Sequence, residues 1–235
     1  MSELSVTSRL AQVNAKIHAA CTKNDRPESE VTLVAVSKTK PAARVREAWE
    51  AGARHFGENY AQELAEKVQE LKLDKAQWHF IGPLQSNKTR LIAEHADWVH
   101  TIDRLKIARR LSDQRPPDRA PLNVLIQVNI SDDPAKAGVD LSQIAGLADR
   151  IATLPNLTLR GLMTITAANL DEATLAAQFR ELKNAQADLI THHPTCTEVS
   201  MGMSQDFELA IANGATMVRV GSDIFGHRAP KPDKE

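Results

Sequence analysis

The apolar residues of this chain fall into two recurring patterns: short unbroken runs, and stretches spaced by three or four. Leu4, Leu10, Val13, Ile17 and Ala20 recur mostly at helical spacing, which predicts a first helix over Leu4–Cys21 capped by Ser5 or Thr7. A polar break containing Pro27 follows. The run Val31–Val36 is continuous and β-branched, as expected of a strand buried on both faces. A helix over Ala42–Ala51 then closes at Gly52. Further strands are predicted over Arg54–Gly57, Gln77–Ile81, Asp97–Ile102, Leu122–Ile130, Leu157–Met163, Thr197–Met201 and Thr216–Val220. The helices between them are predicted over Tyr60–Leu71, Asn87–His95, an Asp103-capped segment ending at Ser112, Leu141–Leu154, Asp171–Ile190 and Gln205–Ala212.

Eight strands alternating with helices predict an α/β fold, a (β/α)8 TIM barrel with an extra N-terminal helix. A doubly wound open sheet would alternate in the same way, but no G-x-G-x-x-G follows the first strand. With no repeat or linker to divide the chain, residues 1–235 are read as one domain with a core over 31–226 and a loose tail over 227–235.

Charge and cysteine content narrow the function. Lys and Arg total 29 against 30 Asp and Glu, a net charge of −1, which argues against a protein built to grip nucleic acid or an acidic membrane. The 42% hydrophobic share supplies a core that needs no staples. Cys21 and Cys196 make no disulfide framework and fit no metal-ligand spacing, so they are read as reduced thiols of a cytoplasmic protein. Glu3, Arg9 and Lys16 interrupt the N-terminal stretch, so no signal peptide is read there, and no run reaches the roughly 20 apolar residues of a membrane span.

In such a barrel the chemistry lies at the C-terminal ends of the strands, with phosphate held after strands 7 and 8. Strand 1 ends in Ser37-Lys38-Thr39-Lys40-Pro41, which places the Lys38 amine at the barrel mouth, where apolar walls favour a neutral, nucleophilic amine. Strand 7 runs into Ser200-Met201-Gly202-Met203-Ser204, and strand 8 into Arg219-Val220-Gly221-Ser222. Hydroxyls and glycine on both loops suit a phosphate. Because strand 8 pairs with strand 1 on closure, Lys38 adjoins that site. A sugar-phosphate aldolase and a pyridoxal 5′-phosphate (PLP) protein both fit this arrangement. Arg219, placed where a pyridine ring would lie, favours the second, since a guanidinium is one of the known partners of the ring nitrogen.

At these residues the sequence resembles the YggS/PROSC-type PLP homeostasis proteins, which are like the N-terminal domain of alanine racemase. The resemblance rests on Val34-Ala35-Val36-Ser37-Lys38-Thr39, Phe56-Gly57-Glu58-Asn59-Tyr60, His79-Phe80-Ile81-Gly82, Leu84-Gln85-Ser86-Asn87-Lys88, Gly161-Leu162-Met163, Ser200-Met201-Gly202-Met203-Ser204, Arg219-Val220-Gly221-Ser222 and Ile224-Phe225-Gly226, in order along the chain. It implies PLP held as a Schiff base on Lys38, with Arg219 on the pyridine nitrogen. It also implies a phosphate cradle of Ser200, Ser204, Gly221 and Ser222, with Asn59 near the cofactor. His79 and Asn87 fall in family motifs without an assigned role. The implied function is intracellular PLP homeostasis and delivery to PLP-requiring apoenzymes, without turnover.

The alternative is a PLP-dependent amino-acid racemase. Two-base racemisation needs a proton acceptor opposite Lys38, which alanine racemases take from a second domain that this sequence is not expected to carry. Tyr60, the only tyrosine, is read as a packed loop aromatic rather than that base. A monomer is expected for the same reason. His192, His193 and Cys196 lack a second ligand cluster for a metal, and His95 and His100 are read as surface or core residues. Arg104, Lys106, Arg109 and Arg110 are read as a solvated helix face, and Lys136 as a surface lysine.

Overall fold

A computed structural model describes residues 4–131 and 137–226; the predicted tail and Lys136 lie outside the described residues. The first helix, α1 (Val6–Lys23), begins where expected: Ser5 is the N-cap and its hydroxyl accepts from the Ser8 N–H. Its face of Val6, Leu10, Val13, Ile17, Ala20 and Cys21 is buried, each large aliphatic contributing roughly 1.5–3 kcal/mol.

Eight parallel strands then close into a barrel: β1 (Thr32–Val36), β2 (His55–Glu58), β3 (Gln77–Phe80), β4 (Trp98–Ile102), β5 (Leu122–Gln127), β6 (Leu157–Met163), β7 (Glu198–Met203) and β8 (Met217–Val220). Closure is made by β1 on β8, with Val34 opposite Arg219 and Ala35 opposite Val220. The intervening helices are α2 (Ala42–Glu50), α3 (Ala61–Leu71), α4 (Thr89–His95), α5 (Leu105–Gln114), α6 (Ile144–Ala152), α7 (Glu172–Ile190) and α8 (Phe207–Ala212). The expected closed barrel with an extra N-terminal helix is therefore the observed fold.

The main core lies between strands and helices, as the continuous apolar runs require. Inside the barrel, Trp98, Leu125, Met163 and Met217 form a separate apolar cluster. After β8 comes α9 (Ser222–Phe225), a single turn too short to show a period in the sequence. α1 packs on α2, α8 and α9 and thereby fills the outer ring beside that short element. Arg26, just beyond α1, ties it to the end of α8 by donating to the carbonyls of Ile211 and Ala215, each at 2.8 Å.

Several local expectations need correction. Asp103 does not cap α5: Arg104 is the N-cap residue, and its guanidinium takes both Asp103 carboxylate oxygens at 2.7 and 2.9 Å. β5 stops at Gln127 rather than Ile130, because Val128 leaves the strand to bridge Val139. α6 starts at Ile144, after a tight turn over Leu141–Gln143 that Asp140 and Gln143 close as a capping box. β7 runs on to Met203, since an irregularity in its pairing with β8 between Ser200 and Met203 keeps the later residues in the sheet.

Candidate functional site

Lys38, Asn59, Ser204, Arg219, Gly221 and Ser222 all line one cavity of about 770 Å³ at the C-terminal ends of the strands. Val36, Ile81, Ile165, Leu170 and Met203 give it apolar walls. Six of the seven expected site residues are thus brought together.

Lys38 follows β1 directly, and the peptide groups on either side of it are held by charged side chains. Lys67, a buried residue of α3, donates to the Ser37 carbonyl at 2.8 Å and to Glu58 and Glu63 at 2.7 Å each. Glu63 in turn accepts from the Thr39 N–H at 2.7 Å, and Ser37 Oγ donates to Glu58 at 2.6 Å. Thr39 adopts a left-handed φ of 62°, so the chain turns sharply just past the lysine. Burial pushes the Glu58 carboxyl up to about 7, against the opposing pull of Lys67 and the Ser37 hydroxyl. Next door, Lys40 Nζ donates to the Gly226 carbonyl at 2.8 Å and joins the β1 loop to the end of α9.

The opposite wall comes from β7 and β8. Ser204 Oγ accepts from Ser222 Oγ at 3.1 Å and, more loosely, from the Gly221 N–H at 3.4 Å. Ser204 does not cap α8: Asp206 is that N-cap, and its carboxylate accepts from the Met203 N–H instead. A side chain at Gly221 would put its Cβ 3.1 Å from the Val36 carbonyl oxygen, so glycine lets this turn lie against β1. Gly82 does the same for Asn59, whose carbonyl oxygen a Cβ there would strike. Asn59 Oδ1 is buried beside the cavity with no partner among the described residues.

Arg219 is buried at the base of the cavity, where it donates to Ser200 Oγ at 2.7 Å and to the Thr164 carbonyl at 2.8 Å. Burial lowers its guanidinium to about 10, so it remains a cation at neutral pH. Ser200 is the seventh expected site residue, and it lies apart from the other hydroxyls. It is fully buried inside the barrel, bonded to Arg219 and to His100 Nδ1 at 2.9 Å, and does not line the cavity.

The remaining candidates scatter. His79 is buried inside the barrel, whereas Asn87 is exposed on the turn before α4. Tyr60 is 54% exposed rather than packed, and it is not in the cavity lining. His193 pairs with Asp149 at 3.0 Å, while the Cys196 thiol faces the Leu159 carbonyl. Cys21 and Cys196 are both buried free thiols, and burial raises both. Arg110, expected on a solvated face, reaches the Ser86 carbonyl at 3.0 Å. Among the described residues no helix is long and apolar enough to cross a membrane. Lys67 and Glu63 belong to the site's support and were not singled out from sequence, and His100, read as a surface or core residue, is buried beside Ser200.

Comparison with known proteins places this architecture. The family described as alanine racemase, N-terminal domain, matches residues 10–229. The pyridoxal phosphate homeostasis protein of Escherichia coli K12 is 54% identical over 226 residues, covering 95% of this chain and 97% of that protein. The structure of PipY from Synechococcus elongatus with PLP bound is 38% identical, with a TM-score of 0.81 over 94% of this chain and all of that one. Alanine racemase from Corynebacterium glutamicum shares the fold at 17% identity and a TM-score of 0.72, over 94% of this chain and 62% of the racemase.

Proposed function

Since the chain belongs to the alanine racemase N-terminal-domain family, among the pyridoxal phosphate homeostasis proteins, we propose that it binds pyridoxal 5′-phosphate reversibly on Lys38 and serves its homeostasis and delivery without turnover. The observation that carries the reading is the convergence of an amine, a hydroxyl-and-glycine turn and a buried guanidinium on one cavity. The fit extends to the unpartnered Asn59 oxygen, a polar group in want of a ligand donor or ordered water.

Each residue then has a distinct task. The Ser204 and Ser222 hydroxyls and the Gly221 N–H receive the phosphate, at a turn that the missing Cβ of Gly221 lets lie against Val36. Arg219 can only donate, so it faces the pyridine nitrogen and keeps it unprotonated, which weakens the ring as an electron sink. When bound, the cofactor supplies an aldehyde carbon that condenses with the Lys38 amine as a Schiff base, with loss of one water. Lys67 and Glu63 fix the peptide groups flanking that lysine, and Glu58 anchors Lys67. Ser200 supports Arg219 rather than the phosphate.

The lining of the cavity favours a carrier over a racemase. Among the described residues its ionisable groups are Lys38, Asp206 and Arg219. Asp206 is engaged with the Met203 N–H, so among the described residues it is not poised as a free base opposite Lys38. The same reading makes the protein a cytoplasmic monomer that passes PLP to PLP-requiring apoenzymes; light scattering at the mass of one chain checks the oligomeric state.

The direct test is PLP titration followed by borohydride reduction and peptide mapping. The expected result is a visible chromophore trapped on Lys38 and lost in Lys38→Ala. A wild-type protein that stays colourless and unmodified would overturn the reading.

A further inference from the structure

The barrel interior holds a row of polar side chains that no step above uses. His55 Nδ1 lies 2.9 Å from His79 Nε2, and His79 Nδ1 lies 2.9 Å from His100 Nε2. His100 Nδ1 lies 2.9 Å from Ser200 Oγ, to which Arg219 donates at 2.7 Å. The row begins at the N-terminal end of the strands, where His55 borders a separate cavity of about 280 Å³ with Leu10, Asn14 and Thr32. It ends under the guanidinium at the base of the cofactor cavity. Barrel interiors of this class are ordinarily filled by branched aliphatic side chains. A buried polar row persists where every member is satisfied.

Only one arrangement of protons satisfies this row. A guanidinium has donors and no acceptor, so Ser200 Oγ must accept from Arg219. The serine's own proton then has one acceptor within reach, His100 Nδ1; leaving that proton unpaired in the interior would forfeit its hydrogen bond. His100 must therefore carry its proton on Nε2 and donate it to His79 Nδ1. His79 repeats the pattern toward His55 Nδ1. Every donor points away from Arg219, so the aligned dipoles present their negative end to the buried cation. The reverse set of tautomers would present the positive end.

We propose that His100, His79 and His55 are positioning residues, locked by one-way donation from Arg219 as neutral Nε2–H tautomers, which solvate the guanidinium without a carboxylate so that its full charge faces the cofactor ring. Among the described residues no carboxylate makes a salt bridge to Arg219, and Asp206 acts on it only at longer range. The neutral state of the row fits its surroundings: His79 and His100 are held well below the usual histidine range, first by burial, then His100 by the Arg219 charge and His79 by the competing imidazoles of His100 and His55. Trp98 stacks on His79 with ring centroids 5.4 Å apart and planes within 9°, which fixes the middle ring. The role toward the cofactor rests on the function proposed above, whereas the tautomers do not.

The test is long-range ¹H–¹⁵N correlation of the imidazoles in the full-length wild-type protein at pH 7 without PLP, with His79→Gln and His100→Gln used for assignment. The expected result is the neutral Nε2–H form for both residues. An Nδ1–H tautomer or an imidazolium at either would overturn the proposal, whatever the protein does with PLP. On the cofactor side, His79→Phe should weaken PLP binding roughly tenfold and shift the absorbance maximum of the Lys38-bound form. His79→Gln, which can still donate and accept, should recover part of both. A folded His79→Phe protein with unchanged affinity and spectrum would overturn the positioning role. Wild-type protein that binds no PLP would remove the proposed function and, with it, that role, but leave the tautomer result standing.

Discussion

Lys38 leaves its strand between two peptide groups held by Lys67 and Glu63, with Glu58 behind Lys67, whereas Arg219 rests on a serine, a carbonyl and a row of imidazoles. The first support is ionic and grips backbone. Its charges answer one another within a buried cluster, and none of Lys67, Glu58 and Glu63 lines the cavity. The second, with the tautomers proposed above, is neutral and grips a side chain, leaving the charge it carries for a ligand of the cavity. The contrast shows how one barrel mouth can present two nitrogen groups of different character. An amine meant to react needs a fixed position, which a clamp on its flanking peptides provides. A guanidinium meant to act through its charge is better served by dipoles than by a carboxylate that would cancel it.

The two supports should fail differently. Lys67→Met would strand the buried Glu58 carboxylate, and breaking such a pair costs about 3–5 kcal/mol. The loss, read by urea denaturation, should be larger at pH 8 than at pH 6, because the Glu58 carboxyl, held up by burial, is protonated on the acid side. The sign for the wild type follows from the same group. Its folded value of about 7 stands above the ordinary value of 4.5, so the folded chain keeps a proton that the unfolded chain has lost between those limits. Stability from this site is complete below pH 4.5 and falls as pH rises through 7, and Glu58→Gln should flatten that slope.

Breaking the neutral support should cost less. Ser200→Ala leaves an Arg219 N–H and His100 Nδ1 without their shared partner, a loss of about 2 kcal/mol that should show little change between pH 6 and 8. A strong pH dependence in that variant would erase the distinction between the two supports. The smallest effect is expected at Gly221→Ala, where a new Cβ 3.1 Å from the Val36 oxygen costs about 1 kcal/mol. Its clearer signature should be weaker PLP binding, measured by the visible titration, since the methyl group pushes the phosphate turn away from β1.

The barrel was legible because strands buried on both faces write apolar runs, clearest at Val31–Val36, and eight strands alternating with helices fix the architecture. The end of each strand was less so. At β7 the irregular pairing carries the sheet past Met201 to Met203, and α9 is one turn long. Lys38, Ser204, Arg219, Gly221 and Ser222 were readable from their places after strands 1, 7 and 8; Asn59 entered only through the family resemblance. Ser200 misled because it shares a loop motif with Ser204 while facing the barrel interior. His55, His79 and His100 stand 24 and 21 residues apart, and only the register of a closed sheet brings them into line. The one available signal was a histidine within an apolar strand, as in Trp78-His79-Phe80. Lys67 was hidden among the other charges of its helix, Ala61–Leu71.

The claim that this site carries its cofactor rather than using it is tested most directly by α-proton exchange. PLP-loaded protein would be incubated with L-alanine in D₂O and followed by ¹H NMR, beside an equal concentration of free PLP. The account predicts that the α-proton signal decays no faster with the protein than with the free cofactor, and that no D-alanine accumulates. Rapid loss of that signal with formation of D-alanine, abolished in Lys38→Ala, would show a racemase and contradict it.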